Sequence, residues 1–297
     1  MIHSTVRRIG SAPLWVTTLA VFSACGGDGP PSDQAVAAPS SGGEALAALW
    51  NADVPAFGVY APNERTNEAA GAGEERPAPL YTAEGGRALA ENPLYDYVFL
   101  NLEGRYDAEA ISAMAEGLAS PSASGPKVLL VRIPSIADAG LDVTRDRIAE
   151  VFERGGDGVV LPHVRGLEEA RTAIELLAAT GENIWTPTNT DGDKFGMLML
   201  EEPESMAQAG AVADLDGYSV LACGIGSLTG ALGGDREAAE ALNQELLDET
   251  KRVGLADMIT ANADNVEQRV QEGFLGLLMA GPSADDVIRL GRVAAGR

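Results

Sequence analysis

Several short apolar runs in this sequence stop at residues able to do chemistry. DYVFLNL is followed by Glu103, and KVLLV by Arg132. GVVLP is followed by His163, and the run ending LML by Glu201 and Glu202, with Pro203 stopping it. YSVLA leads into Cys223 and the glycine-rich GIGSLTG, and LADMIT leads to Asn262. A guanidinium suits two-pronged recognition of a carboxylate or an enolate. A carboxylate holds Mg²⁺ or Mn²⁺, and an imidazole is the usual general base. Backbone N–H groups at Gly224, Gly226 and Ser227 are placed to meet an anion. Each residue also has a plain reading. Glu201 and Glu202 read as solvated acids opening a loop, and His163 as a hydrogen-bonded loop histidine. Arg132 reads as an ion-pair partner of Glu103, and Cys223 as an inert buried thiol.

These residues matter together only if one architecture gathers them. From Glu44 onward, apolar runs alternate with helical patterns. Runs start at Ala56, Asp96, Lys127, Gly158, Leu198, Gly217, Leu255 and Phe274. Continuous apolar runs of this length read as strands buried on both faces. Helices follow between them. Asp107 caps one through Leu118, Thr144 caps one ended by Gly155, and Leu167 to Ala179 is amphipathic. Asp235 to Val253 is long and ends at Gly254, and Ser283 with Asp286 opens a last helix. Gly181 to Phe195 reads as a loop, and Asp157 and Asp216 as turn residues before their strands. Eight strands alternating with helices over roughly 250 residues predict an α/β fold, a (β/α)8 TIM barrel. An open doubly wound sheet is the alternative. No GxGxxG follows the first strand and no GxxxxGK[ST] occurs, so neither a dinucleotide fold nor a P-loop is supported. In a barrel, strand C-terminal ends line the ligand-binding face, which selects the residues named above.

Composition narrows the partners. The net charge is −23 and the pI about 4.3. No basic stripe is present to neutralise phosphates, so nucleic acid is excluded as a partner, and adsorption to anionic lipid is disfavoured. The cysteines are Cys25 and Cys223 and the histidines His3 and His163, which gives neither a disulfide framework nor a zinc spacing.

The N-terminus is expected to lie outside the fold. Arg7 and Arg8 precede an apolar stretch, Ala12 to Phe22, that is too short for a comfortable membrane span. The run VFSAC resembles a bacterial lipoprotein signal. That resemblance implies cleavage after residue 24, lipidation of Cys25, and export to a periplasmic or cell-surface location. Membrane contact would then run only through the lipid. Residues 25–43 (Gly, Pro, Ser and Ala) read as a flexible tether, and residues 44–297 as the barrel domain.

Four segments in order, DYVFLNLEG, VLLVRIP, GGDGVVLPHVRGLEEAR and LDGYSVLACGIGSLTGALG, with LMLEEPESM between the last two, resemble the HpcH/HpaI aldolase/citrate lyase family. The resemblance covers the chain from about Ala45 to the C-terminus. It implies a barrel that assembles as a homo-oligomer. It also implies cleavage or formation of a carbon–carbon bond next to a pyruvate-type enolate, on a 2-oxo acid, with a divalent metal (Mg²⁺, Mn²⁺ or Co²⁺). By resemblance Glu201 falls on the metal Glu, Arg132 on the Arg at the oxo oxygen, and Glu103 on the acid beside the catalytic histidine. Three departures accompany it. Gly104 stands where the family has that histidine, Ser227 where it has the metal Asp, and Met199 where it has a Gln. The expected outcome is a degenerate site in which His163 replaces the base. Glu202, Glu204, Asp191 or Asp193 would then supply a further metal ligand. The alternative is an inactive module that binds a carboxylate or oxo acid.

Overall fold

The computed structural model describes residues 40–65 and 77–297. The expected signal, Cys25, most of the tether and the middle of the polar loop after the first strand lie outside the described residues.

Eight strands form a closed parallel barrel in sequence order. They are β1 (Ala56–Tyr60), β2 (Tyr97–Asn101), β3 (Val128–Arg132), β4 (Gly158–Leu161), β5 (Phe195–Leu200), β6 (Val220–Cys223), β7 (Ala256–Thr260) and β8 (Gly276–Met279). β8 closes on β1 with Ala56 opposite Gly276 and Val59 opposite Met279. The helices are α1 (Gly42–Asn51), α2 (Ala83–Glu91), α3 (Ala108–Leu118), α4 (Ile136–Ala139), α5 (Leu141–Glu153) and α6 (Leu167–Ala178). They continue as α7 (Pro203–Met206), α8 (Ala209–Ala213), α9 (Ile225–Ala231), α10 (Arg236–Val253), α11 (Val266–Glu272) and α12 (Ala284–Ala294). The (β/α)8 barrel expected from the strand pattern is what forms.

Alternation along each strand builds two cores. Tyr97, Phe99, Leu130, Met197 and Met258 point into the barrel. Val98, Leu129, Leu198 and Ile259 point outward and pack under the helices. α1 belongs to the inner core: it closes the N-terminal end of the barrel. Trp50 packs edge-on to Phe195 with ring centres 5.2 Å apart and lies 5.3 Å from Trp185. Its indole N–H donates to the Leu275 carbonyl at 2.9 Å.

Local signals placed several helix ends. Asp107 accepts from the Glu109 and Ala110 N–H groups, and Asp235 from that of Ala238. Gly254 takes the left-handed conformation that ends α10. Two expected caps fail. Thr144 lies inside α5, where its hydroxyl donates to the Gly140 carbonyl at 2.8 Å. Bonding back four residues is the alternative to capping for this side chain, and the helix begins one turn earlier. Ser283 precedes α12 with φ −90° and ψ 1° and caps nothing with its side chain, because that backbone is not the extended geometry an N-cap needs. Strand six starts at Val220, later than expected. Gly217 turns at φ 103°, and Ser219 donates to the Trp185 carbonyl. The short helices α4, α7, α8 and α9 left no periodic signal, since each spans two turns or fewer. Asp157 accepts from the Leu129 N–H and from Lys194, as a residue pinning the start of a strand does.

Candidate active site at the open end of the barrel

β3 ends at Arg132, and its guanidinium is the centre of the site. Nη2 lies 2.9 Å from the Glu103 carboxylate and 3.0 Å from Glu201 Oε1. Glu103 follows β2 and Glu201 follows β5, so neighbouring and more distant strands converge on one cation. His163, after β4, completes the group. Its Nε2 lies 3.3 Å from Glu103 Oε1 and 3.7 Å from Glu201 Oε2. The four residues singled out at these strand ends therefore form one cluster.

The cluster is graded in solvent access. The Glu201 side chain is 1% exposed, while that of His163 is 35% exposed. His163 is the more accessible of the two. Its backbone is held at φ 52°, a left-handed conformation uncommon outside glycine. The strained turn directs the His163 N–H at Glu201 Oε1, 3.4 Å away. Such strain persists where surrounding structure over-determines it, and it concentrates at functional sites.

Glu201 Oε2 is buried and has no hydrogen-bond partner among the described residues. Gly224, just past β6, makes room for it: a Cβ there would stand 2.5 Å from the carboxylate. Any other residue would push Glu201 out of place.

Beside these groups lies a cavity of about 240 Å³, lined among others by Arg132, Glu201, Gly224, Gly226 and Ser227, while Glu103 and His163 stand outside its lining. The glycine-rich segment is thus at the site, as expected. Cys223 also lines it. Burial, reinforced by Asp257 and Glu201, pushes its thiol well up, so it stays protonated and inert. Asn262 does not take part: its side chain accepts from the Asp264 N–H and closes its own turn.

Two lining residues escaped the reading of strand ends: Thr260, which ends β7 where Asn262 was expected, and Tyr60, on the first strand. Tyr60 ends β1 and lines the cavity beside Arg132. Its ring stands nearly perpendicular to Phe99, 5.1 Å away. Burial raises its phenol, against the pull of Arg132 and with the push of Glu201 and Glu103, so it is a neutral O–H donor. The signal was present: a polar aromatic as the last residue of an apolar run.

The residues suit a divalent cation. A buried carboxylate oxygen without a partner, in a cradle that a Cβ would fill, is what an anchoring ligand looks like before binding. Glu103 is a second carboxylate on the same guanidinium, and the exposed Ser227 carries a hydroxyl at the cavity wall. Among the described residues no group of three His, Cys, Asp or Glu side chains forms a ready cage. Mg²⁺ does not require one, because it keeps waters and is bound through one or two carboxylates plus substrate oxygens. Asp191 and Asp193, expected as substitute ligands, precede β5 at the opposite end of the barrel. Glu202, the N-cap residue of α7, and Glu204, in its first turn, are exposed. None of the four serves.

The chain has the fold of the HpcH/HpaI aldolase/citrate lyase structures. It is similar to a family protein from Burkholderia cenocepacia at TM-score 0.61 and 17% identity, covering 85% of this chain and 98% of that one. An HpcH/HpaI aldolase from Desulfitobacterium hafniense aligns at TM-score 0.60 and 17% identity, over 83% and 94% of the two chains. The citrate lyase beta subunit of M. tuberculosis, solved with oxaloacetate and magnesium, aligns at 0.53 and 18%, over 83% and 98%. No protein-family model and no curated protein matches the sequence.

Proposed function

We propose that this protein is a carbon–carbon lyase of the aldolase type, acting on a 2-oxo acid through an enolate. The observation that carries the proposal is the Arg132 guanidinium held between two carboxylates, with an imidazole on the same carboxylates, at the open end of a barrel. The fold shared with aldolase and citrate lyase structures supports it.

Each residue has a role in this reading. Arg132 faces the cavity and neutralises charge that develops on the 2-oxo oxygen as the bond breaks. Its fixed position between Glu103 and Glu201 means no reorganisation is needed at that moment. His163 accepts the proton from the substrate hydroxyl, and Glu103, 3.3 Å from Nε2, stabilises the imidazolium that results. Tyr60 donates to a substrate oxygen from the β1 side. Mg²⁺, Mn²⁺ or Co²⁺, held by Glu201 with Glu103 and Ser227, would supply Lewis-acid polarisation of the oxo group.

A second reading, an oxo-acid-binding module without turnover, draws on one observation. Both carboxylates are already engaged by Arg132, and Ser227 replaces an acid. Exchange of pyruvate methyl protons, followed by NMR with added Mn²⁺ or Co²⁺, separates the two. Exchange that disappears in Glu201→Gln and His163→Ala supports the lyase. Saturable oxo-acid binding without exchange supports the module. Neither binding nor exchange would overturn both.

We also propose that the chain is exported and anchored through Cys25, and that it self-associates. Leu290 and Val293 of α12 are 42% and 77% exposed, which supports self-association. Palmitate labelling lost in Cys25→Ser and light scattering of the purified domain test these two points.

A further inference from the structure

The cavity has a polar rim and an apolar floor, and the strands explain the division. Residues two apart on a strand share a face. On β5, Met197 and Met199 therefore point the same way as Glu201, one and two steps deeper in the barrel. On β7, Met258 lies in the same relation to Thr260. Phe99 of β2 and Leu278 of β8 complete the floor. All belong to the inner core and are nearly inaccessible to solvent: Met197 is 4% exposed, Met199 8%, Met258 3% and Leu278 5%.

Bulky branched side chains ordinarily fill a barrel interior of this kind in layers. Here methionines stand at those places, beneath a cavity of about 240 Å³, far more than the roughly 10–15 Å³ a single water needs. A Cβ on Gly276 would stand 2.1 Å from Met258 Cγ, so Met258 lies flat across β8. Unbranched thioether chains adapt to an incoming apolar group. The floor offers no hydrogen-bond donor or charge. A hydroxyl or carboxylate entering it would lose water and gain nothing, whereas a methylene would gain.

The geometry points to a specificity chamber: we infer that the 2-oxo acid released on cleavage carries a short uncharged aliphatic chain at C3, the carbon that parts from the hydroxyl-bearing fragment. Its acid head meets Arg132 and Tyr60 at the rim, and its tail enters the methionine-lined floor. This inference rests on the 2-oxo acid reading above and goes beyond it by naming the class of side chain.

The test is calorimetric titration of the full protein, with Mg²⁺ present, against pyruvate, 2-oxobutanoate, 2-oxopentanoate and oxaloacetate. The expected result is affinity rising about fourfold per added methylene, with oxaloacetate weaker than 2-oxobutanoate. Met199→Gln, which puts an amide in the floor, flattens the series, as does Met258→Phe, which fills it. The wild-type series decides the matter by itself if either variant fails to fold. Pyruvate binding with no gain along the series, or preference for oxaloacetate, overturns the chamber and leaves the 2-oxo acid site standing. Absence of binding by every oxo acid, pyruvate included, overturns the functional proposal and this inference with it.

Discussion

Arg132 sets one positive charge against two carboxylates, and the imbalance shapes what each substitution does. Removing Arg132 leaves Glu201, 1% exposed, without its compensating cation. Breaking a buried pair from one side costs about 3–5 kcal/mol. Arg132→Ala is therefore expected to lower the unfolding midpoint and abolish oxo-acid affinity, read by thermal melts and calorimetry. Glu201→Gln acts in the opposite sense on stability. It removes the surplus negative charge and the orphaned anionic oxygen, so the melting temperature is expected to hold or rise. Proton exchange on pyruvate should fall by roughly 10²–10³-fold, the usual loss when one charge-stabilising group leaves a preorganised site. A stable but inactive variant of this kind marks a residue kept for chemistry at the expense of stability. At this scale the sequence was readable wherever a charged residue closed an apolar run, which located Glu103, Arg132, His163 and Glu201. It could not show that one nitrogen of Arg132 serves both carboxylates, because that depends on barrel closure. Tyr60 closes β1 in the same way, but an uncharged phenol at a strand end does not stand out from the aromatic residues of the core.

Between β7 and α10 sits a buried acid that the site does not use. Asp257 is 1% exposed, and neither carboxyl oxygen has a hydrogen-bond partner among the described residues. The Thr250 hydroxyl beside it donates to the Leu247 carbonyl instead. Burial pushes the Asp257 carboxyl well up from its ordinary range. In the unfolded chain the group loses its proton near pH 3.9. Above that pH the folded state holds a proton that the unfolded state has released, so stability falls as pH rises. Asp257→Asn is expected to be more stable than the wild type in urea at pH 8, with the gap narrowing toward pH 5. Equal midpoints at both pH values would rule this out. The nearby Glu240 behaves differently. Burial works against its ionisation, yet the bonds from Arg269 and Gln244 bring it down to about 2, so it remains a permanent anion fixing α10 to α11. Element types were legible here because the 18-residue α10 carries a sustained stripe between Asp235 and Gly254. Its start followed from a side-chain cap and its end from a glycine. Where a threonine met a helical backbone, as at Thr144, the residue type misled, whereas Ser283 marked the start of α12 without capping it by its side chain.

At the scale of the molecule, the barrel has one open end. α1 shuts the other with Leu46, Ala47 and Trp50, each 4% exposed or less. Trp50→Ala is expected to cost about 3–5 kcal/mol, measured by urea denaturation, with oxo-acid affinity little changed because the site lies at the far end. The barrel was legible in the order and spacing of strands, since eight apolar runs alternating with helices leave few other ways to bury their faces. That α1 is a plug was not legible, because an amphipathic stripe does not say which surface it meets. The plug also makes the interior a one-way well. Gly42 packs against the Lys127 carbonyl at the entry to β3, so the N-terminal end is stoppered, and a molecule reaching Met197 or Met258 passes Arg132 and Glu201 first.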